Sequence, residues 1–308
     1  MGSLLLESHA GSNPAAERNC NVRFFSGAEF SISGVDYMDR KDYYKHYQSN
    51  LQLLDCEMEQ VKIATQQAIG EKAWLEKMHR DQKQIATTNN RIKACTRLYT
   101  FLLCSWFEAR LLKMLYENSS VAFTDQEIAT IRSKQPNYRE MNQKWKESFS
   151  IAVCRSYGFA YTPSIDYTSQ FVIGSVEQRN YTTVCSFFSD ITDAITIRNR
   201  LGHGQWDIQF NGSNTDVTNY SFFTKYDNIQ KLNMLKQAFN EIAEIINSYV
   251  TDKDKHTSNF NVLIEKRIKN VFQIKTRIQN SDFEKYARQL EKLHARKVEI
   301  SKQNITSS

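Results

Sequence analysis

The stretch "TIRNRLGHGQW", residues 196–206, gathers Arg198, Asn199 and His203 at the end of an apolar run, between polar and glycine residues. Imidazole exchanges protons near neutral pH and can act as a general acid or base. Guanidinium keeps its charge at any ordinary pH and can hold a phosphate as negative charge builds on it. The amide of Asn199 can orient either group. A substrate that brings its own nucleophile suits this set, and RNA does so, because each ribose 2′-OH lies beside a phosphate. Such a reaction needs neither metal nor cofactor. One histidine is short of an acid and base pair, and two copies of the motif, one from each subunit of a dimer, would supply both.

The bare spacing is weak evidence. With 17 arginines and six histidines, Arg followed after four to six residues by His occurs three times: Arg40 to His46, Arg198 to His203, and Arg288 to His294. His46 falls between the apolar positions Tyr44 and Tyr47 and should point to solvent. His294 belongs to a continuing basic helix. The middle pair follows a stripe of Val184, Phe187, Phe188, Ile191, Ala194 and Ile195, at spacings of one helix face, and Arg198 continues that stripe. A guanidinium aimed at the core side must be paired or used. Arg200 falls on the opposite face with Asp193 and Thr196 and reads as a surface residue. Gly202 is expected to end the helix in a left-handed conformation, freeing His203 just beyond it, while Gly204 leaves the backbone open to a ligand. The plainer reading is a cationic helix end favoured by the macrodipole, with Gly202 as a stop signal.

The elements around this motif are helical. Three prolines and ten glycines in 308 residues leave room for long helices. Residues 1–36, rich in Gly, Ser and Asn, read as a flexible arm with one short strand at "NVRFF". Residues 37–83 form a long helix whose Tyr44, Tyr47, Leu51, Leu54, Met58, Val61, Thr65 and Ala68 alternate steps of three and four. Such a seam packs on a following helix or on a partner chain, and packing within the chain is favoured. A second helix, about 84–117, is apolar nearly all round and belongs in the middle of a bundle. Thr124 and Glu127 make a capping box for a short helix. Pro136 opens another, to about 157, and residues 158–174 read as a loop. A single helix follows over 176–201, then a small β-hairpin at "WDIQFNGSNTDVT" around Asn211-Gly212, then a helix over 226–250 with Leu232, Leu235, Phe239, Ile242 and Ile246 in its core stripe. Trp206 reads as a core or hairpin anchor, and the tyrosines 43, 44 and 47 as seam packing. After a polar linker, two basic helices occupy about 260–278 and 281–303. The expected organisation is therefore all-α: an arm (1–36), a heptad-patterned helix (37–83), a helical domain (84–250) and a basic extension (251–308).

Charge is unevenly placed. The net +6 lies wholly in residues 251–308, which hold 13 Lys/Arg against 7 Asp/Glu, while the first 250 hold 27 of each. A basic tail suits phosphate backbones, although solvated helices often look alike. Cys20, Cys56, Cys95, Cys104, Cys154 and Cys185 show no CxxC or metal-ligand spacing, as expected of reduced thiols in a cytoplasmic protein. "MGSLLLES" lacks a cationic n-region, and the most apolar segment (98–116) contains Glu108, Arg110 and Lys113, so neither a signal peptide nor a membrane helix is expected. No Walker loop, GxGxxG, HExxH, GxSxG or EF-hand pattern is present.

"RNRLGHG" resembles the Arg-polar-x3-His motif of HEPN domains, small helical bundles found in bacterial toxins, abortive-infection proteins and CRISPR effectors. The resemblance covers roughly residues 84–250, and the "LYTFLLCSWFEARLLKML" helix is also similar to HEPN proteins of the phage-defence type. It implies a homodimer with a composite site, metal-independent endoribonuclease activity and 2′,3′-cyclic phosphate ends, with Arg198, Asn199 and His203 as the catalytic set. It implies RNA as substrate, tRNA and mRNA being candidates, and an antitoxin or defence-system protein as a partner. Gln205 stands where one subgroup, paired with nucleotidyltransferase antitoxins, has tyrosine. Regulation through tyrosine modification is therefore not expected. Two other readings are a non-catalytic HEPN module binding RNA or protein, and a helical interaction protein assembled through the 44–68 seam.

Overall fold

The computed structural model describes residues 39–117, 122–133, 140–163, 165–206, 225–251 and 258–306, and among them all regular structure is helical. The helices are α1 (Arg40–Lys77), α2 (Gln82–Leu115), α3 (Asp125–Arg132), α4 (Glu140–Tyr157), α5 (Val176–Cys185), α6 (Phe188–Gly202), α7 (Ile229–Thr251), α8 (Ser258–Gln279) and α9 (Phe283–Thr306). The expected arm, the opening Pro136 and the β-hairpin lie outside the described residues, apart from the hairpin's first residue, Trp206.

The heptad seam of α1 is covered within the chain. Met58, Thr65 and Ala68 are buried, and Tyr44, Tyr47, Leu54 and Val61 are partly buried against the core. α2 returns antiparallel after a short turn in which His79 takes φ 49°, a conformation that histidine tolerates better than branched residues. Cross-contacts fix this hairpin along its length. The Trp106 indole donates to Asp55 at 2.9 Å, and the Arg40 guanidinium donates to the Leu115 carbonyl at 3.2 Å. Tyr43 and Tyr47 stack on Tyr116, with ring centroids 4.7 and 6.0 Å away. The seam residues between 44 and 68 thus have packing partners within the chain.

α9 runs parallel to α1 in a constant register. The Gln66 amide donates to the Tyr286 hydroxyl at 2.8 Å, Gly70 meets Leu290, and the rings of Trp74 and His294 lie 5.6 Å apart. Each step advances both helices by four residues, as close packing of two helix faces requires.

α7 forms the centre. Leu232, Leu235, Phe239, Ile242 and Ile246 are wholly buried, each contributing about 1.5–3 kcal/mol of apolar burial. Phe239 joins four aromatic neighbours, with centroids 4.6 Å from Phe107 of α2, 5.3 Å from Trp145 of α4, 6.3 Å from Phe187 and 6.4 Å from Phe188 of α6. α8 covers α7, where Arg267 pairs with Glu241 at 3.1 Å. The apolar second half of α2 lies between α1, α6 and α7, as its composition predicts. The capping box at Thr124 is also present, since its side chain accepts from the Glu127 N–H and Glu127 accepts from the Thr124 N–H at 2.7 Å.

The expected loop over 158–174 contains one 3-10 turn, Tyr167–Gln170, capped by Asp166. The expected single helix over 176–201 is a larger departure. It is two helices, parted at Ser186 and Phe187. Both residues keep right-handed dihedrals (φ −64°, ψ −15° and φ −88°, ψ −20°), so the chain tightens there without turning away. The Phe187 N–H reaches back three residues, to Val184, in place of four. Burial explains the break, because Val184, Phe187 and Phe188 are all held in the core while the Lys275 amine of α8 donates to the Ser186 hydroxyl at 2.8 Å.

Candidate active site at the end of α6

α6 is driven inward by Ile191, Ala194, Ile197 and Leu201, all buried. Arg198 sits beside that buried face, half-buried. Its Nε and Nη2 donate to the Asn199 Oδ1 at 3.4 and 3.2 Å, so the amide and guanidinium form one unit. The Arg198 charge is felt at the Cys104 thiol of α2: burial pushes that thiol up to about 12, and the nearby cation partly opposes the rise.

The helix ends one turn later in a Schellman motif. His203 is the C-cap at φ −91° and ψ 17°, the Gly204 N–H donates to the Leu201 carbonyl at 3.1 Å, and the Gln205 N–H donates to the Arg200 carbonyl at 3.0 Å. These bonds satisfy carbonyls that the last turn would otherwise leave open. The left-handed residue is Gly204, at φ 80°, and not Gly202, which remains helical. That corrects the expected stop signal by two residues. With a residue of its own outside the last helical position, His203 is exposed as expected. Among the described residues, and its chain neighbours apart, a Cβ placed on Gly202 or on Gly204 meets no atom within 4 Å.

Arg198 and His203 are five residues apart, about 7.5 Å along a helix axis. The guanidinium and the imidazole thus occupy one helix end, with Asn199 attached to the guanidinium. Arg200 does not separate from Arg198 by exposure. Both are half-buried, and Arg200 has a partner too, so its assignment to the outer surface is withdrawn. Asp193 and Thr196 are likewise half-buried. Trp206 is 38% exposed, more than a core anchor would be.

The other two Arg-to-His pairs stand apart. His46 is exposed on α1, and His294 is half-buried against Trp74. Four ionic residues are buried among the described residues, Asp190, Arg110, Glu147 and Glu291, and the sequence reading assigns none of them a role at the site. Asp190, 4% exposed, receives the Lys225 amine at 2.7 Å and the Tyr226 hydroxyl at 2.7 Å. Arg110 bonds Asn240 at 3.2 Å and Glu244 at 2.5 Å, and Glu147 receives the Tyr161 hydroxyl. Asp190 precedes His203 by 13 residues, about 20 Å of helix, and belongs to the packing that returns the chain to α7. The partners of Asp190 and Arg110 lie 35 to 134 residues away, so no local spacing could reveal them. Among the described residues, no group of three His, Cys, Asp or Glu is arranged to hold a metal ion.

Compared with known proteins, the chain matches no protein-family model, no curated protein and no solved structure.

Proposed function

We propose that this protein is a metal-independent endoribonuclease of HEPN type, acting as a homodimer whose composite site joins two copies of Arg198, Asn199 and His203. The observation carrying this reading is the exposed His203 at the capped end of α6, one and a half turns from the Arg198–Asn199 unit. In the reaction, one His203 removes the proton of a ribose 2′-OH, whose oxygen attacks the adjacent phosphorus. The bond to the 5′-oxygen breaks, the second His203 protonates the leaving oxygen, and a 2′,3′-cyclic phosphate and a 5′-OH result. Arg198 neutralises charge gathering on the phosphate, and Asn199 holds the guanidinium in place. Such an activity fits a cytoplasmic toxin or abortive-infection effector cutting tRNA or mRNA, with an antitoxin or defence-system protein as regulator.

The test is incubation of purified protein with single-stranded RNA in EDTA, followed by analysis of the product ends. Cyclic phosphate ends, and no cutting where the scissile nucleotide is 2′-deoxy, are expected. Binding without cleavage would replace this reading with that of a non-catalytic RNA-binding module.

A further inference from the structure

α9 turns Tyr286, Leu290 and His294 towards α1, so Lys285, Arg288, Lys292 and Arg296 fall on its outward side, with Lys297 at the flank; all five cations are exposed. They span 13 residues, about 18 Å of helix from first to last, with neighbouring side chains about 5–6 Å apart. Elsewhere, exposed and half-buried cations are commonly matched. Lys45 pairs with Asp42, Lys62 with Glu59, Lys72 with Glu76, Lys231 with Asp227 and Lys236 with Asp55. On α9 the pattern differs. Glu291 faces inward, 7% exposed, and is taken by Lys77 at 2.9 Å, and no ion pair among the described residues involves any of the five outward cations.

We propose that the outward face of α9 is a docking surface for the sugar-phosphate backbone of single-stranded RNA. A rigid row of unmatched cations suits a polyanion with evenly spaced charges, and the inner face is already committed to α1, so the row is held in one geometry. The surface extends the RNA-cutting reading above by adding a second point of attachment, but it is tested by binding alone. A bilayer is the poorer fit. The outward side offers only Leu293 and Ile300 as exposed aliphatics, 58% and 48%, and these do not form the continuous apolar face that an interfacial helix inserts.

The experiment uses the full chain carrying His203→Ala, which keeps RNA intact, and an oligouridine of about 20 nucleotides. Affinity is measured from about 50 to about 200 mM salt. Five backbone contacts to a single strand predict a slope of log K against log salt of about −3.5, or a loss of about 100-fold over that range. Adding Lys285→Gln, Lys292→Gln and Arg296→Gln leaves two contacts, a slope of about −1.4 and a loss of about 7-fold, with thermal unfolding unchanged. In protein with intact His203, the same three substitutions should raise KM for long RNA and leave kcat on a short oligonucleotide as it was. An unaltered slope in the triple variant overturns the proposal, as does binding to phosphatidylserine-containing vesicles but not to RNA. Salt-dependent RNA binding without cleavage would sustain the surface while removing the nuclease reading. Cleavage with a slope near zero would do the reverse.

Discussion

Gly70 of α1 lies so close to Leu290 of α9 that a Cβ on Gly70 would stand 2.6 Å from the Leu290 carbonyl oxygen and 2.9 Å from its carbon. Helix propensity alone makes Gly→Ala stabilising by about 1 kcal/mol in a helix interior. Here the obstacle is backbone, which cannot rotate aside, and overpacking of this kind costs about 1–3 kcal/mol. Gly70→Ala should therefore destabilise the fold, lowering the urea midpoint. A raised midpoint would mean that α1 and α9 are not in this contact.

Arg110 is buried and bonds the partly exposed Glu244. Burial lowers the pKa of Arg110, and Glu244 is the main influence opposing that fall. Removing the acid strands a cation in the core, whereas replacing the cation with an apolar side chain of similar reach does not. Glu244→Ala should cost about 2 kcal/mol, and Arg110→Met less than about 1 kcal/mol. Paired denaturant titrations check the order, and the reverse order would contradict this account of the network.

The thiols should differ sharply in reactivity, because alkylation proceeds through the thiolate. Cys104 and Cys185 are both pushed up to about 12 by burial, which leaves about one thiolate in ten thousand at pH 8. Cys56 is exposed. Site-resolved mass spectrometry after brief iodoacetamide treatment should find Cys56 modified while Cys104 and Cys185 react only after unfolding. Early labelling of Cys104 would show that α2 and α6 open readily beside Arg198.

Alkaline pH should unfold the protein. Burial, the largest cause in each case, raises the hydroxyls of Tyr99, Tyr181, Tyr226 and Tyr249 above the ordinary value of 10.0. The unfolded chain loses these protons first, so their contribution to stability is complete below about pH 10 and is lost as pH rises beyond it. Phenolate absorbance of the buried tyrosines should grow in the same step as helical circular dichroism falls. Complete ionisation with the helices intact would contradict the packing around Tyr226 and Tyr249.

Periodicity made the long helices legible. The three-and-four steps of α1, the apolarity of the second half of α2 and the core stripe of α7 each describe a burial pattern that a single helix carries by itself, whereas the first half of α2, expected to be as apolar, is mostly exposed. Thr124 with Glu127 was legible for the same local reason. The division of α5 from α6 was not, because Val184, Phe187 and Phe188 stay on one stripe through a break that involves neither Gly nor Pro. At the site, two glycines within three residues offered two possible stops, and only the hydrogen bonds of the Schellman motif select Gly204 over Gly202. The half-burial of Arg200 could not be read from the facing rule, because α6 is covered on more than one side, with Ile195 and Ile197 both buried. The register of α9 on α1 depends on contacts more than 200 residues apart in the chain, which no spacing within either helix encodes.

The most direct test of the central claim is the rate of RNA cleavage in EDTA by the wild-type protein and by His203→Ala, measured beside their thermal unfolding. Loss of a general acid and base predicts a fall of at least about 100-fold with unchanged unfolding, since His203 is exposed. Equal cleavage by the two proteins would remove His203 from the chemistry and with it the site at the end of α6.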